Sequence, residues 1–141
     1  MKAPKYTSTI LFSLLFCFVK AQLPVVTGAE QMMQYLPLLK GKKVGMVVNQ
    51  TSVIEGVHLV DTLKANKVKI VRVFAPEHGF RGDHSAGAYV ASGTDAKTGL
   101  PVVSLYGSNK KPKPEQIKVL EWVIFDIEDV GARFYTYIYT L

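Results

Sequence analysis

The 141-residue chain is 48% hydrophobic and has a formal net charge of +6, a composition sufficient for the buried core of one domain. Its lysines are scattered, apart from Lys40–Lys43 and Lys110–Lys113, and no nucleic-acid-binding motif accompanies them. The composition therefore weighs against nucleic acid as a partner and indicates a solvated surface, with a weak attraction to anionic cell-wall polymers as the alternative.

The N-terminus has the pattern of a secretory signal peptide, which we assign to residues 1–21. Lys2 and Lys5 precede an apolar run, Ile10 to Val19, that is shorter than the roughly 20 residues a membrane-spanning helix needs. We expect cleavage after Ala21 and export to the periplasm or the extracellular space. The mature chain then has 14 basic and 11 acidic residues, a net charge of +3.

The only cysteine, Cys17, lies inside this signal, so the mature chain is expected to have neither a disulfide nor a thiol. Lipidation of Cys17 is the alternative, but the lipoprotein pattern needs a small residue before the cysteine, and Phe16 occupies that position. We therefore expect no stable membrane insertion once the signal is removed.

After the signal, apolar runs of strand length alternate with segments of helical spacing. We predict helices at Gln31–Leu39, Val57–Lys67 and Pro114–Leu120, and strands at Val44–Asn49, Val68–Ala75, Val102–Tyr106 and Trp122–Ile127. Repeated strand–helix–strand units predict an α/β fold, a parallel sheet with helices on both faces. The glycine-rich stretch from Pro76 to Gly99 is longer than most connections and is predicted to be a functional loop.

The C-terminal residues 131–141 begin a further element that stops without a cap, a glycine or a polar tail. We therefore expect residues 22–141 to be an incomplete N-terminal domain of a longer protein, truncated at the C-terminus. The sequence carries no signal for a particular oligomeric state.

Polar clusters lie at the ends of three of the predicted strands: Asn49-Gln50-Thr51, Glu77-His78-Gly79 and Asp126-Ile127-Glu128-Asp129. In a parallel sheet the carboxyl ends of the strands share one edge, and ligands bind in the crevice outside it. The sequence therefore predicts one site built from all three clusters. The first cluster also matches a glycosylation sequon, which is short enough to arise by chance.

Glu77 directly follows a predicted strand. An unpaired buried glutamate is costly, so Glu77 is either a solvated loop carboxylate or a group held for catalysis. His78 with Asp83 and His84 offers three possible zinc ligands, but their spacing matches no established zinc site. A structural or hydrogen-bonding role for His78 is favoured, and no metal is predicted.

Asp126, Glu128 and Asp129 lie within four residues at the end of the last predicted strand. Repulsion among them is expected to raise the pKa of at least one, as general-acid catalysis requires. Alternatively, Asp129 caps a following helix, and Arg81 and Arg133 neutralise the cluster.

Three ordered blocks of sequence carry a family resemblance. They are Phe74-Ala75-Pro76-Glu77-His78-Gly79-Phe80-Arg81-Gly82, Thr98-Gly99-Leu100-Pro101-Val102 with Ser104-Leu105-Tyr106-Gly107, and Phe125-Asp126-Ile127-Glu128-Asp129-Val130-Gly131 with Arg133-Phe134-Tyr135-Thr136-Tyr137. Together they resemble the exo-β-N-acetylmuramidase family, formerly catalogued as a domain of unknown function. The resemblance extends from about Val44 to Leu141.

The resemblance implies a glycoside hydrolase that releases N-acetylmuramic acid from the non-reducing end of peptidoglycan fragments, without a cofactor. It also implies an N-terminal Rossmann-like catalytic domain followed by a further domain. Glycoside hydrolysis needs a positioned acid and usually a second carboxylate. We assign Glu77 as the acid/base and Asp126 or Asp129 as the second group. The residues expected to bind substrate are Asn49, His78, Arg81, Glu128, Arg133 and Tyr135.

One departure from the family concerns Glu128, where the family commonly has glutamine, so the resemblance implies substrate contact rather than catalysis at that position. Two other functions stay open. A metal-dependent cell-wall amide hydrolase would use His78, Asp83 and His84, and a non-catalytic sugar-binding module would use the same crevice without turnover.

Overall fold

The computed structural model describes residues 25–82, 92–107, 109–128 and 131. Three helices lie in these ranges: α1 (Met32–Leu39), α2 (Leu59–Ala65) and α3 (Pro114–Ile117). The strands are β1 (Lys43–Val48), β2 (Val53–Ile54), β3 (Val57–His58), β4 (Lys69–Ala75), β5 (Gly93–Thr94), β6 (Pro101–Ser104) and β7 (Trp122–Asp126). No helix in the described ranges has the length and apolar character to cross a membrane.

Five strands form one mostly parallel sheet in the order β5-β6-β4-β1-β7. The strands β1, β4, β6 and β7 are parallel, and β5 pairs with β6 in the antiparallel sense. Numbered along the chain, the four parallel strands lie in the order 3-2-1-4, which is that of the first four strands of a Rossmann fold. The predicted α/β class is confirmed.

The central strand β1 reads as a continuous apolar run because both of its faces are covered. On one face, Val44, Met46 and Val48 pack with side chains of α1 and α2, including Leu39 and Leu63. The opposite face is a second, smaller core around Val47, Phe74, Val103 and Leu105, against which Leu120 packs after α3. Packing on both faces therefore holds β1 in place, and with it the edge of the sheet at which β1 ends.

Two predicted helices are longer than the observed ones. The predicted helix Val57–Lys67 begins only at Leu59, because Val57 and His58 form β3, which pairs with β2. Glu55 and Gly56 both have positive φ, as a two-residue hairpin turn requires. The predicted helix Pro114–Leu120 ends at Ile117, since the chain turns there to bring Leu120 under the sheet.

Candidate active site at the carboxyl edge of the sheet

The carboxyl ends of three neighbouring strands bring the predicted residues to one edge. Asp126 ends β7 opposite Val48, Asn49 directly follows β1, and Glu77 lies two residues beyond the end of β4. The order across the edge is thus Glu77, Asn49, Asp126. Because β4 and β7 lie on either side of β1, two interstrand spacings of roughly 4.8 Å separate them.

This edge is also where the connections of the sheet diverge. From β1 the chain moves to β4 and β6 on one side, and it then returns to β7 on the other side of β1. Crevices at such switch points are the usual ligand sites of open α/β sheets. Asn49 and Asp126 lie at this switch point, as the ends of β1 and β7.

Glu77 lies in a tight turn after β4. The turn is closed by a hydrogen bond from the Gly79 amide to the Pro76 carbonyl, 3.1 Å, and both His78 and Gly79 have positive φ. A left-handed conformation costs a non-glycine residue such as His78 about 1 kcal/mol or more, so the surrounding structure must hold the turn in place.

Tyr106, which follows β6, is one partner of Glu77. The negative charge of Glu77 raises the pKa of the Tyr106 hydroxyl, with a further contribution from a hydrogen bond between the two side chains. Tyr106 therefore stays protonated at neutral pH and donates to the Glu77 carboxylate. No role for Tyr106 was predicted from the sequence, although its position at the end of a predicted strand was a signal.

Asn49 is buried, with 1% of its surface exposed, and it shapes the loop after β1. Its Oδ1 accepts hydrogen bonds from the Thr51 amide, 2.9 Å, and the Thr51 hydroxyl, 2.7 Å. Ser52 Oγ accepts from the Asn49 amide and donates to the Asp126 carbonyl. The loop is thereby joined to the end of β7, and the buried Asn49 is unsuited to glycosylation.

Asp126 is half-buried, and burial raises the pKa of its carboxyl group. Repulsion by the exposed Glu128 adds to the rise, whereas the nearby side chains of Ser52 and His58 oppose it. The predicted rise is therefore present, but desolvation rather than carboxylate repulsion is its main cause. Asp126 also borders a cavity of about 320 Å³ between α1 and β7, whose lining is otherwise mainly apolar.

Arg81 is held by two carboxylates. Its Nε and Nη2 donate to Asp95 at 2.7 and 2.8 Å, and its Nη1 and Nη2 donate to Asp61 at 3.1 and 3.0 Å. The expectation that Arg81 neutralises the Asp126 cluster is wrong, because Asp61 and Asp95 are its partners. Substrate contact by Arg81 stays a prediction, and it would compete with these four hydrogen bonds.

The remaining predicted residues lie outside the described ranges. They are Asp129, Arg133 and Tyr135, together with the alternative metal ligands Asp83 and His84. No group of three His, Cys, Asp or Glu side chains suited to a metal occurs within the described residues. The expectation that no metal is needed stays a prediction.

Comparison with known proteins decides the family. The family described as "Exo-beta-N-acetylmuramidase NamZ, N-terminal" matches residues 44–141, which is more than half of the chain. The chain belongs to this family.

A relative within the NamZ family is the "Peptidoglycan beta-N-acetylmuramidase NamZ" of Bacillus subtilis (strain 168), 48% identical over 120 residues. The match covers 83% of this chain but only 29% of the relative. Two crystal structures of DUF1343 family proteins from Bacteroides fragilis NCTC 9343 are each 41% identical, with TM-scores of 0.67 and 0.69. They match 82% and 80% of this chain, and it covers 29% and 28% of theirs.

Proposed function

We propose that the whole protein is a glycoside hydrolase that releases N-acetylmuramic acid from the non-reducing end of peptidoglycan fragments. The peptidoglycan β-N-acetylmuramidase NamZ of Bacillus subtilis, to which the chain is similar, supports this reaction by its name. The observation that carries the proposal is the presence of two carboxyl groups at one edge of the sheet: Glu77 lies just after β4 and Asp126 ends β7, and these strands flank β1, which Asn49 follows.

The two carboxyl groups differ in their surroundings, as a glycosidase requires of its pair. In the proposed mechanism Glu77, oriented by Tyr106, delivers a proton to the glycosidic oxygen and later recovers one from water. Asp126 faces the anomeric carbon and either attacks it or activates water. Asp129 is the other candidate for this second role, and Arg133 and Tyr135 are proposed to contact the lactyl carboxylate and the sugar ring.

The test compares two substrates of the whole protein: a 4-nitrophenyl glycoside of N-acetylmuramic acid and a disaccharide with N-acetylmuramic acid at its non-reducing end. Nitrophenolate leaves without protonation, whereas a sugar alcohol needs a proton. We expect Glu77→Gln to lower turnover of the disaccharide by about 10² to 10⁴ with little change in affinity, and turnover of the nitrophenyl glycoside by less. Asp126→Asn should lower both.

Three controls make the result decisive. The N-acetylglucosamine analogue should not be cleaved, and turnover should persist in a chelator, which a metal-dependent amide hydrolase would not tolerate. Binding without turnover in the parent would instead identify a sugar-binding module. Near-parental turnover of the disaccharide by Glu77→Gln would remove Glu77 from the mechanism.

We also propose that the protein is exported to the periplasm or the extracellular space, where peptidoglycan fragments arise. The basic residues Lys2 and Lys5 ahead of the apolar run Ile10 to Val19 support this location. N-terminal sequencing of the protein purified from its host should begin at Gln22, and retention of Met1 would contradict the proposal.

A further inference from the structure

His58 joins three segments around the candidate site. Its Nδ1 accepts a hydrogen bond from the Val60 amide at 3.2 Å and so caps the N-terminus of α2. Its Nε2 lies 3.0 Å from the Asn49 carbonyl and 2.9 Å from the Phe80 carbonyl. One imidazole therefore contacts the end of β1, the start of α2 and the loop that carries Glu77.

These contacts select one protonation state of the ring. Because Nδ1 accepts from an amide, the proton must be on Nε2, which then donates to the two carbonyl oxygens. Burial lowers the pKa of His58 and favours this neutral form. In the doubly protonated form, Nδ1–H would face the Val60 N–H group and the cap would be lost.

The Phe80 contact bears directly on Glu77, because only two residues separate them and both, His78 and Gly79, are left-handed. The rings of His58 and Phe80 also pack edge to face, with their centroids 5.2 Å apart and their planes at 83°. On its other side the loop is anchored by Arg81. A turn in this conformation depends on such anchors.

We propose that His58 is a positioning residue, which fixes the distance between the Glu77 loop and the end of β1 by bridging the Asn49 and Phe80 carbonyl oxygens. Its effect on turnover rests on the proposed function, but its effect on the loop does not. Misplacement of a catalytic group by about 1 Å is enough to lower a rate by up to about 10²-fold.

Two substitutions separate the bridge from the helix cap. In His58→Asn, Oδ1 occupies the position of Nδ1 and preserves the cap, since asparagine is a favoured N-cap residue, but the donor to the two carbonyls is lost. In His58→Gln, the side-chain amide nitrogen occupies the position of Nε2 and has two hydrogens for the two carbonyls, but the cap is lost. Both variants therefore carry a side-chain amide, but His58→Asn keeps the cap and loses the bridge, whereas His58→Gln keeps the bridge and loses the cap.

We expect His58→Asn to lower kcat of the whole protein for the disaccharide by about 10- to 100-fold with KM within about threefold. His58→Gln should restore kcat to within a few-fold of the parent, although it melts at a lower temperature than the parent. If His58 had only a structural role, kcat would follow stability, and the less stable His58→Gln would lose more activity than His58→Asn. Parental kcat in His58→Asn, or equal losses in both variants, would overturn the proposal.

Hydrogen exchange of the whole protein provides a readout that needs no substrate. Amides of residues 76–82 should exchange at least several-fold faster in His58→Asn than in the parent, and at about the parental rate in His58→Gln. Unchanged exchange in His58→Asn would overturn the bridge. A parent without muramidase turnover would refute the proposed function, and the exchange result would then decide the role of His58.

Discussion

At the scale of single residues, the hydroxyl of Tyr106 is hydrogen-bonded to Glu77, and we expect it to help orient the carboxyl group. Tyr106→Phe removes this donor and leaves the ring in place. Because Tyr106 is partly exposed and water can replace its hydroxyl, we expect kcat to fall by a few-fold to roughly tenfold and KM to change little. Steady-state kinetics on the disaccharide test this, with thermal unfolding as the control for intact structure. A variant with parental kcat would show that Tyr106 does not orient the acid.

The ion pairs around Arg81 give a second prediction at this scale, on stability and pH. Arg81 holds the pKa of Asp95 well below its usual range, with help from Thr98, and also lowers the pKa of Asp61. A carboxyl group with a lowered pKa stabilises the fold above its unfolded pKa, and this stabilisation is lost as the pH falls through the folded value. The network is therefore most favourable at neutral pH.

Asp95→Asn should lower the free energy of unfolding by about 3 kcal/mol at pH 7, because a buried ion pair loses one of its two charges. In addition, the new amide hydrogens face Arg81 or the Thr98 amide, which are themselves donors. The difference from the parent should be constant above about pH 5 and shrink below about pH 4. Urea unfolding across this range measures it. A difference that grows on acidification would contradict the assignment.

At the scale of elements, the loop after β4 packs directly on the loop after β1. A Cβ atom at Gly82 would lie 2.9 Å from Cβ and 3.2 Å from Cγ of Gln50, and Gly82 has φ of +72°. Gly41 has nearly the same φ, +73°, but open space around the position of a Cβ atom. The two glycines therefore separate backbone strain from the contact between loops.

Gly41→Ala should cost about 1 kcal/mol, which is the strain of a left-handed alanine. Gly82→Ala should cost at least about 1 kcal/mol more, because the Cβ atom of Gln50 cannot rotate away. Denaturant unfolding of both variants gives the difference. We also expect kcat to fall in Gly82→Ala alone, and equal stability of the two variants would show that the loops do not press on each other.

Local sequence predicted the elements that are continuous apolar runs. The strands β1, β4, β6 and β7 were each predicted to within two residues at either end, because runs of mainly apolar residues define them. The convergence of Asn49, Glu77 and Asp126 followed from the rule that parallel strands end at one edge. The hairpin at residues 53–58 was missed, since two strands of two residues each have no periodicity to detect.

The contacts between distant segments were not predictable from local patterns. Asp61 and Asp95 lie 20 and 14 residues from Arg81, and their pairing depends on how α2 and the β5–β6 hairpin meet the Glu77 loop. His58 resembled the first turn of a helix, and its bridge to Phe80 spans 22 residues. Pairing of this kind follows from the tertiary fold, which no spacing in the sequence encodes.

At the scale of the whole molecule, β7 is the last strand at one side of the sheet among the described residues, where it pairs with β1 alone. This edge is apolar, since Trp122 and Val123 are 43% and 49% exposed. A parallel edge strand with exposed apolar side chains is a template for association with another chain. The edge at β5 differs, because the described part of it is two residues long, Gly93 and Thr94.

We therefore expect residues 22–141, produced by themselves, to self-associate through β7 at concentrations of tens of micromolar. Val123→Lys places a charge on this edge and should weaken association at least several-fold, because a lysine on an edge strand must be desolvated when a second strand pairs there. Thr94→Lys is the matched control on the opposite edge and should have little effect, since two residues are too few to template a partner. Sedimentation velocity of the three chains over a range of concentrations measures association. A monomeric parent, or equal effects of the two lysines, would show that β7 does not drive it.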